Sequence, residues 1–142
     1  MVQRKMAIMM AAVVALGLGC FPPEPKAQYT PEQLLQLTDL KELMRFQYHG
    51  LDNTWSLADQ STLTPADFRT AGVAATHVRD VAGAVLQNFA AGRPDGFRGF
   101  AEQLKGLAEG MAASAAASDA EAVKTAIGKI GDTCDACHSA YR

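Results

Sequence analysis

The sequence predicts an all-α chain folded as an antiparallel four-helix bundle. Three observations carry this. No run alternates Val, Ile, Thr or aromatic residues with polar ones, as a half-buried strand would. Apolar residues recur instead three and four apart in four stretches, the spacing of one helix face. Each stretch opens on a residue able to cap a helix, and the connections are mostly short, which makes successive helices antiparallel neighbours. Residues 30–142 have the length of one domain.

The segment before the bundle has a different character. Arg4 and Lys5 form a short basic start, and Met6 to Gly19 is uncharged and largely apolar. That run is short for a bilayer span and has the shape of a secretory signal. Gly17-Leu18-Gly19-Cys20 looks like a lipoprotein cleavage site, so residues 1–19 are read as a signal peptide of that type. Cys20 is then the lipid-bearing mature N-terminus. Cleavage after Ala27, with Cys20 discarded, is the alternative. Residues 20–29, with Pro22, Pro23 and Pro25, are read as an extended tether.

The first helix is predicted to start at Thr30-Pro31-Glu32-Gln33, where Thr30 and Gln33 can make a capping box and Pro31 suits the first turn. Leu34, Leu37, Leu40, Met44, Tyr48, Leu51 and Trp55 form its stripe, and Gly50 weakens the later half. Thr64-Pro65-Ala66-Asp67 repeats the opening chemistry for the second helix. Phe68, Val78, Val81, Val85 and Phe89 line that helix, with alanines at 71, 74 and 75 for close approach. The run from Ala91 to Asp95 is a break. Asp95 is expected to cap the third helix, whose stripe is Phe97, Phe100, Leu104, Leu107 and Met111, and an alanine tract carries it to Ser118. Ser118-Asp119-Ala120-Glu121 reads as a further capping box. Val123, Ile127, Ile130, Cys134, Cys137 and Tyr141 then continue one face to the end of the fourth helix.

That last face carries the chemistry. Cys134-Asp135-Ala136-Cys137-His138 is a C-x-x-C-H, the attachment sequence of c-type haem. Two thiols three apart on one helical turn can reach both vinyl groups of one haem, and the adjacent imidazole can ligate its iron. A dithiol-disulfide pair would need a strand-helix context, and a zinc site a second Cys pair or a His cluster, and the chain shows neither. The third cysteine, Cys20, lies in the leader, so no structural disulfide is expected. Removing Arg4 and Lys5 leaves 11 basic against 15 acidic residues, a formal charge of −4. That argues against nucleic acid as a partner.

The last thirty or so residues resemble the class II cytochromes c, the cytochrome c′ and cytochrome c-556 family. An alanine-rich helix leads there into the run from Thr133 to Arg142. The resemblance implies a four-helix bundle with one covalent haem c near one end, thioethers at Cys134 and Cys137, and His138 as proximal iron ligand. It also implies Arg142 near the proximal haem edge and a periplasmic role in electron transfer or diatomic gas binding. A redox partner protein belongs to that role, and family members often pair as homodimers. The chain departs from the family in having Leu37-Thr38-Asp39-Leu40-Lys41 where many members carry an Arg-Gln pair.

Function then turns on the position opposite His138. Met44 is the one methionine of the first helix, and on its stripe could complete His/Met ligation, which suits electron transfer. As core filler it would leave a five-coordinate iron open to nitric oxide or carbon monoxide. The leading expectation is a non-enzymatic electron carrier, and the alternative is a gas-binding protein. His49 and His77 are expected to be surface and boundary histidines, Met111 a core residue, and Tyr48 and Trp55 aromatic packing residues or haem neighbours.

Overall fold

The computed structural model describes residues 30–142, which form five α-helices and one 3₁₀ turn. The expectations for residues 1–29, including Cys20, lie outside the described residues. The α-helices are α1 (Pro31–Leu35), α2 (Leu40–Leu51), α3 (Pro65–Asn88), α4 (Asp95–Ala116) and α5 (Ala120–Tyr141), and the 3₁₀ turn is Trp55–Leu57. Both α1 and α2 pack on α3, and α4 packs on α3 and α5. With α1 and α2 counted as one arm, the architecture is the predicted all-α four-helix bundle.

The first arm is broken where one continuous helix was expected. Helix α1 opens on the predicted Thr30–Gln33 capping box and stops after five residues, with Gln36 at its C-cap. Asp39 then caps α2, its side chain accepting from the Lys41 amide at 2.8 Å. Across the gap, Asn88 of α3 donates to the Leu35 carbonyl at 2.8 Å and holds the end of α1 against α3. Thr38 and Asp39 favour such a break, since short polar side chains offer the backbone a non-helical alternative.

This break resets the inward face. Leu43, Gln47 and Leu51 are the buried residues of α2, one turn apart, while Met44 is half-buried and Tyr48 is 65 % exposed. The expected stripe through Met44 and Tyr48 is therefore corrected. Tyr48 lies edge-on to His49, which faces Asp52, and is not a core aromatic.

The other helices follow their sequence closely. Thr64 and Asp67 make the predicted box at the start of α3, whose alanines 71, 74 and 75 and valines 78, 81 and 85 are buried. Gly92 takes the left-handed conformation in the turn to α4. The caps at the later starts move by one residue. Pro94 is the N-cap of α4, with Asp95 inside its first turn, where the helix dipole favours an acid. Asp119, not Ser118, caps α5 by accepting from the Ala122 amide at 3.0 Å, because Ser118 is in the left-handed region with φ 56°.

Two apolar clusters fill the bundle. One joins Leu51 and Leu57 to Ala74, Val78, Ala108, Met111, Val123, Ile127 and Ile130, drawing on α2 to α5. The other joins Leu34, Leu43, Val81, Val85, Phe97 and Ala101, with Met44 at its edge, and none of its buried residues comes from α5. Helix α5 reaches that end with the ring of Tyr141, 5.7 Å from Phe97 and edge-on to it. His77 lies buried on α3 with its ring against Gly50, where a Cβ would overlap it, and its Nε2 meets the Phe46 carbonyl at 2.9 Å. It is the satisfied histidine the sequence suggested.

Candidate functional site

Helix α5 supplies the chemistry, and its buried face opens towards the C-terminus. Val123, Ile127, Ile130 and Thr133 are buried, Cys134 and Cys137 half-buried, and His138 exposed. Thr133 stays in the helix by giving its hydroxyl hydrogen to the Lys129 carbonyl at 2.7 Å. Tyr141 is 37 % exposed, so the last turn leaves the core although the sequence stripe continues through it. Arg142 is exposed at the C-cap, its amide bonded to the His138 carbonyl at 3.2 Å.

Cys134 and Cys137 are free thiols one turn apart. Burial, reinforced by the neighbouring Asp135 and Cys137, pushes the Cys134 thiol up to about 11, so it stays protonated at neutral pH. Burial also raises Cys137. Among the described residues, no three His, Cys, Asp or Glu side chains gather to hold a bare metal ion. The pair and its histidine share one turn of α5.

The register of α2 against α5 decides what faces this turn. At one level a Cβ on Gly131 would sit 3.5 Å from the Trp55 ring. At another, Leu43 shares a cluster with Phe97, whose ring meets Tyr141. Going back from Trp55 in the 3₁₀ turn to Leu43 on α2 therefore runs forward from 131 to 141 along α5. The two helices run antiparallel, so Gln47 on one and the Cys134–His138 turn on the other both fall between these two levels.

Gln47 is the residue that sequence reasoning missed. It is 7 % exposed, and neither oxygen nor nitrogen of its side-chain amide has a hydrogen-bond partner. Buried amides are ordinarily paired, because losing water without replacement costs about 1–3 kcal/mol. Its signal lay in the i, i+4 line through Leu43 and Leu51, hidden by the assumption of an unbroken first helix. Met44, the predicted distal candidate, is one turn earlier and packs with the Leu34–Phe97 cluster.

A family model described as Cytochrome C′ matches residues 91–142, the whole of α4, α5 and the C-x-x-C-H. Over this segment the chain is similar to the cytochrome c′ family. A curated cytochrome c′ of Allochromatium vinosum is 48 % identical over 42 residues, covering 30 % of this chain and 27 % of that relative. The match thus spans about a quarter of the relative's length. No solved structure matches the chain.

Proteins of the cytochrome c′ family bind a covalent c-type haem. The residues present fit such a group: two half-buried thiols one turn apart, an exposed imidazole on the next residue, and an unpaired buried amide on the inward side of α2. Among the described residues no helix is long and apolar enough to cross a membrane.

Proposed function

We propose that the chain is a periplasmic haem c protein in which Cys134 and Cys137 carry the haem and His138 supplies the proximal imidazole. The side opposite His138 then receives small diatomic molecules such as nitric oxide or carbon monoxide. The observation that supports this is the placement of the C-x-x-C-H. It lies on the half-open face of α5, inside the family-matched segment, with Cys134 packed at the edge of the Leu51–Met111–Ile130 cluster. Each S–H would add across one vinyl double bond, making a C–S bond and leaving its hydrogen on carbon. The haem supplies the redox-active, ligand-binding iron. Arg142, one turn past His138 at the end of α5, would keep that edge electropositive.

The chain's own residues shape the opposite side. Leu43 and Leu51 supply apolar walls and exclude water, and Gln47 supplies the polar atoms between them. A non-enzymatic role fits this lining, since Arg45, the neighbouring candidate for an acid-base or charge-stabilising group, is exposed. Electron transfer through a His/Met iron is the second reading. It is favoured by the half-buried position of Met44, one turn before Gln47.

Absorption spectra of the purified ferric and ferrous protein, with and without carbon monoxide, separate the two. The open-site reading expects a high-spin spectrum unchanged in Met44→Ala and ready carbon monoxide uptake. A sulfur-to-iron band that vanishes in Met44→Ala would establish the electron carrier instead. The intact mass of the same sample reports the processing. A diacylglyceryl Cys20 supports the lipid anchor, and a start at Gln28 excludes it.

A further inference from the structure

Gln47 stands out from every other polar side chain in the bundle. Its terminal atoms are removed from solvent and, among the described residues, they alone are buried side-chain polar atoms without a partner. Of the other buried polar side chains, His77 meets the Phe46 carbonyl and Thr133 the Lys129 carbonyl. A lone amide in an apolar line between Leu43 and Leu51 is a net cost to folding unless something polar meets it in the working protein. It lies on the inward side of α2, between the Trp55–Gly131 level and the Leu43–Phe97–Tyr141 level, as the Cys134–His138 turn does on α5.

We infer that the Gln47 amide is the hydrogen-bond partner of the small molecule bound opposite His138, and so a specificity-determining residue of that site. The inference rests on the open-site reading above. A donated N–H held in a low-dielectric interior favours ligands whose outer atom gains negative charge on binding and does little for uncharged ones. Leu43 and Leu51 offer no such discrimination. Gln47 would therefore rank ligands by charge distribution, where an apolar distal wall ranks them only by size.

The test compares the haem-loaded wild type with Gln47→Leu, which removes the donor, and Gln47→Glu, which keeps the shape but replaces the amide by a carboxyl group. Gln103→Leu, at an exposed position on α4, serves as control. The first readout is the infrared C–O stretch of the ferrous carbon monoxide complex. A nearby donor draws charge onto the oxygen and lowers the frequency. The stretch is expected to rise in Gln47→Leu and to stay unchanged in the control. Cyanide affinity of the ferric protein should fall about tenfold in Gln47→Leu, the size of one buried hydrogen bond.

Unchanged frequency and unchanged cyanide affinity in both Gln47 variants, with carbon monoxide still bound, overturn the assignment alone. That is also the outcome if the amide instead meets a haem propionate. A ferrous protein that takes up no carbon monoxide overturns the open-site reading, and the assignment falls with it. Should Gln47→Glu fail to fold, Gln47→Leu decides the matter, since leucine suits the apolar surroundings.

Discussion

His77 is held by one hydrogen bond and by the fit of its ring against Gly50, and its burial there governs its protonation. The Nε2–H donates to the Phe46 carbonyl at 2.9 Å, a bond that either protonation state can make. Burial is the largest influence and holds the pKa below the ordinary 6.5, although the Phe46 carbonyl and Asp80 pull the other way. The unfolded chain takes up a proton near 6.5, while folded His77 resists it. Stability linked to His77 is therefore fully present above about pH 6.5 and lost as pH falls towards the folded pKa, by at most about 1.4 kcal/mol per pH unit. Urea midpoints measured at about pH 7 and about pH 5 should drop in the wild type and drop less in His77→Gln, which keeps a donor for Phe46. An equal drop in the two proteins would assign the acid sensitivity to other groups.

The elements owe their boundaries to side chains that speak to backbone. Thr64 and Asp67 start α3 as the sequence announced, because a Thr-Pro-x-Asp run satisfies two amides locally and needs no tertiary partner. The break between α1 and α2 was less legible. Leu34, Leu37 and Leu40 keep a three-residue spacing across it, so the periodicity runs on through residues that are not helical. What fixes the break is partly remote: Asn88, more than fifty residues away, reaches the Leu35 carbonyl. Only its local half, the Asp39 cap, was written in the sequence. Losing the remote half is testable. Asn88→Ala should cost about 1 kcal/mol, the worth of one hydrogen bond. Amide exchange should quicken in α1 and its connection while the centre of α3 stays protected. Loss of protection spread evenly through α3 would show instead that Asn88 matters to its own helix.

At the scale of the whole molecule the bundle is asymmetric. Its Leu57–Met111–Ile127 end is closed by every helix from α2 to α5, whereas its Leu34–Leu43–Phe97 end receives from α5 only the edge of Tyr141. The C-x-x-C-H was plain in the sequence because its chemistry depends on five adjacent residues. What faces it depends on how α2 turns after the break, which puts Gln47 on the inward line in place of Met44. If the haem completes the open end, its loss should be felt there first. A Cys134→Ala/Cys137→Ala double variant keeps the apolar surroundings of both positions and removes the covalent attachment. Its urea midpoint should fall, and the loss of amide protection should concentrate around Leu34, Leu43, Phe97 and the last two turns of α5. Protection near Ala74, Met111 and Ile127 should persist, because α2 to α5 all give buried residues to that cluster and Cys134 only borders it. Protection falling equally at both ends would mean that the bundle folds as one unit around the haem.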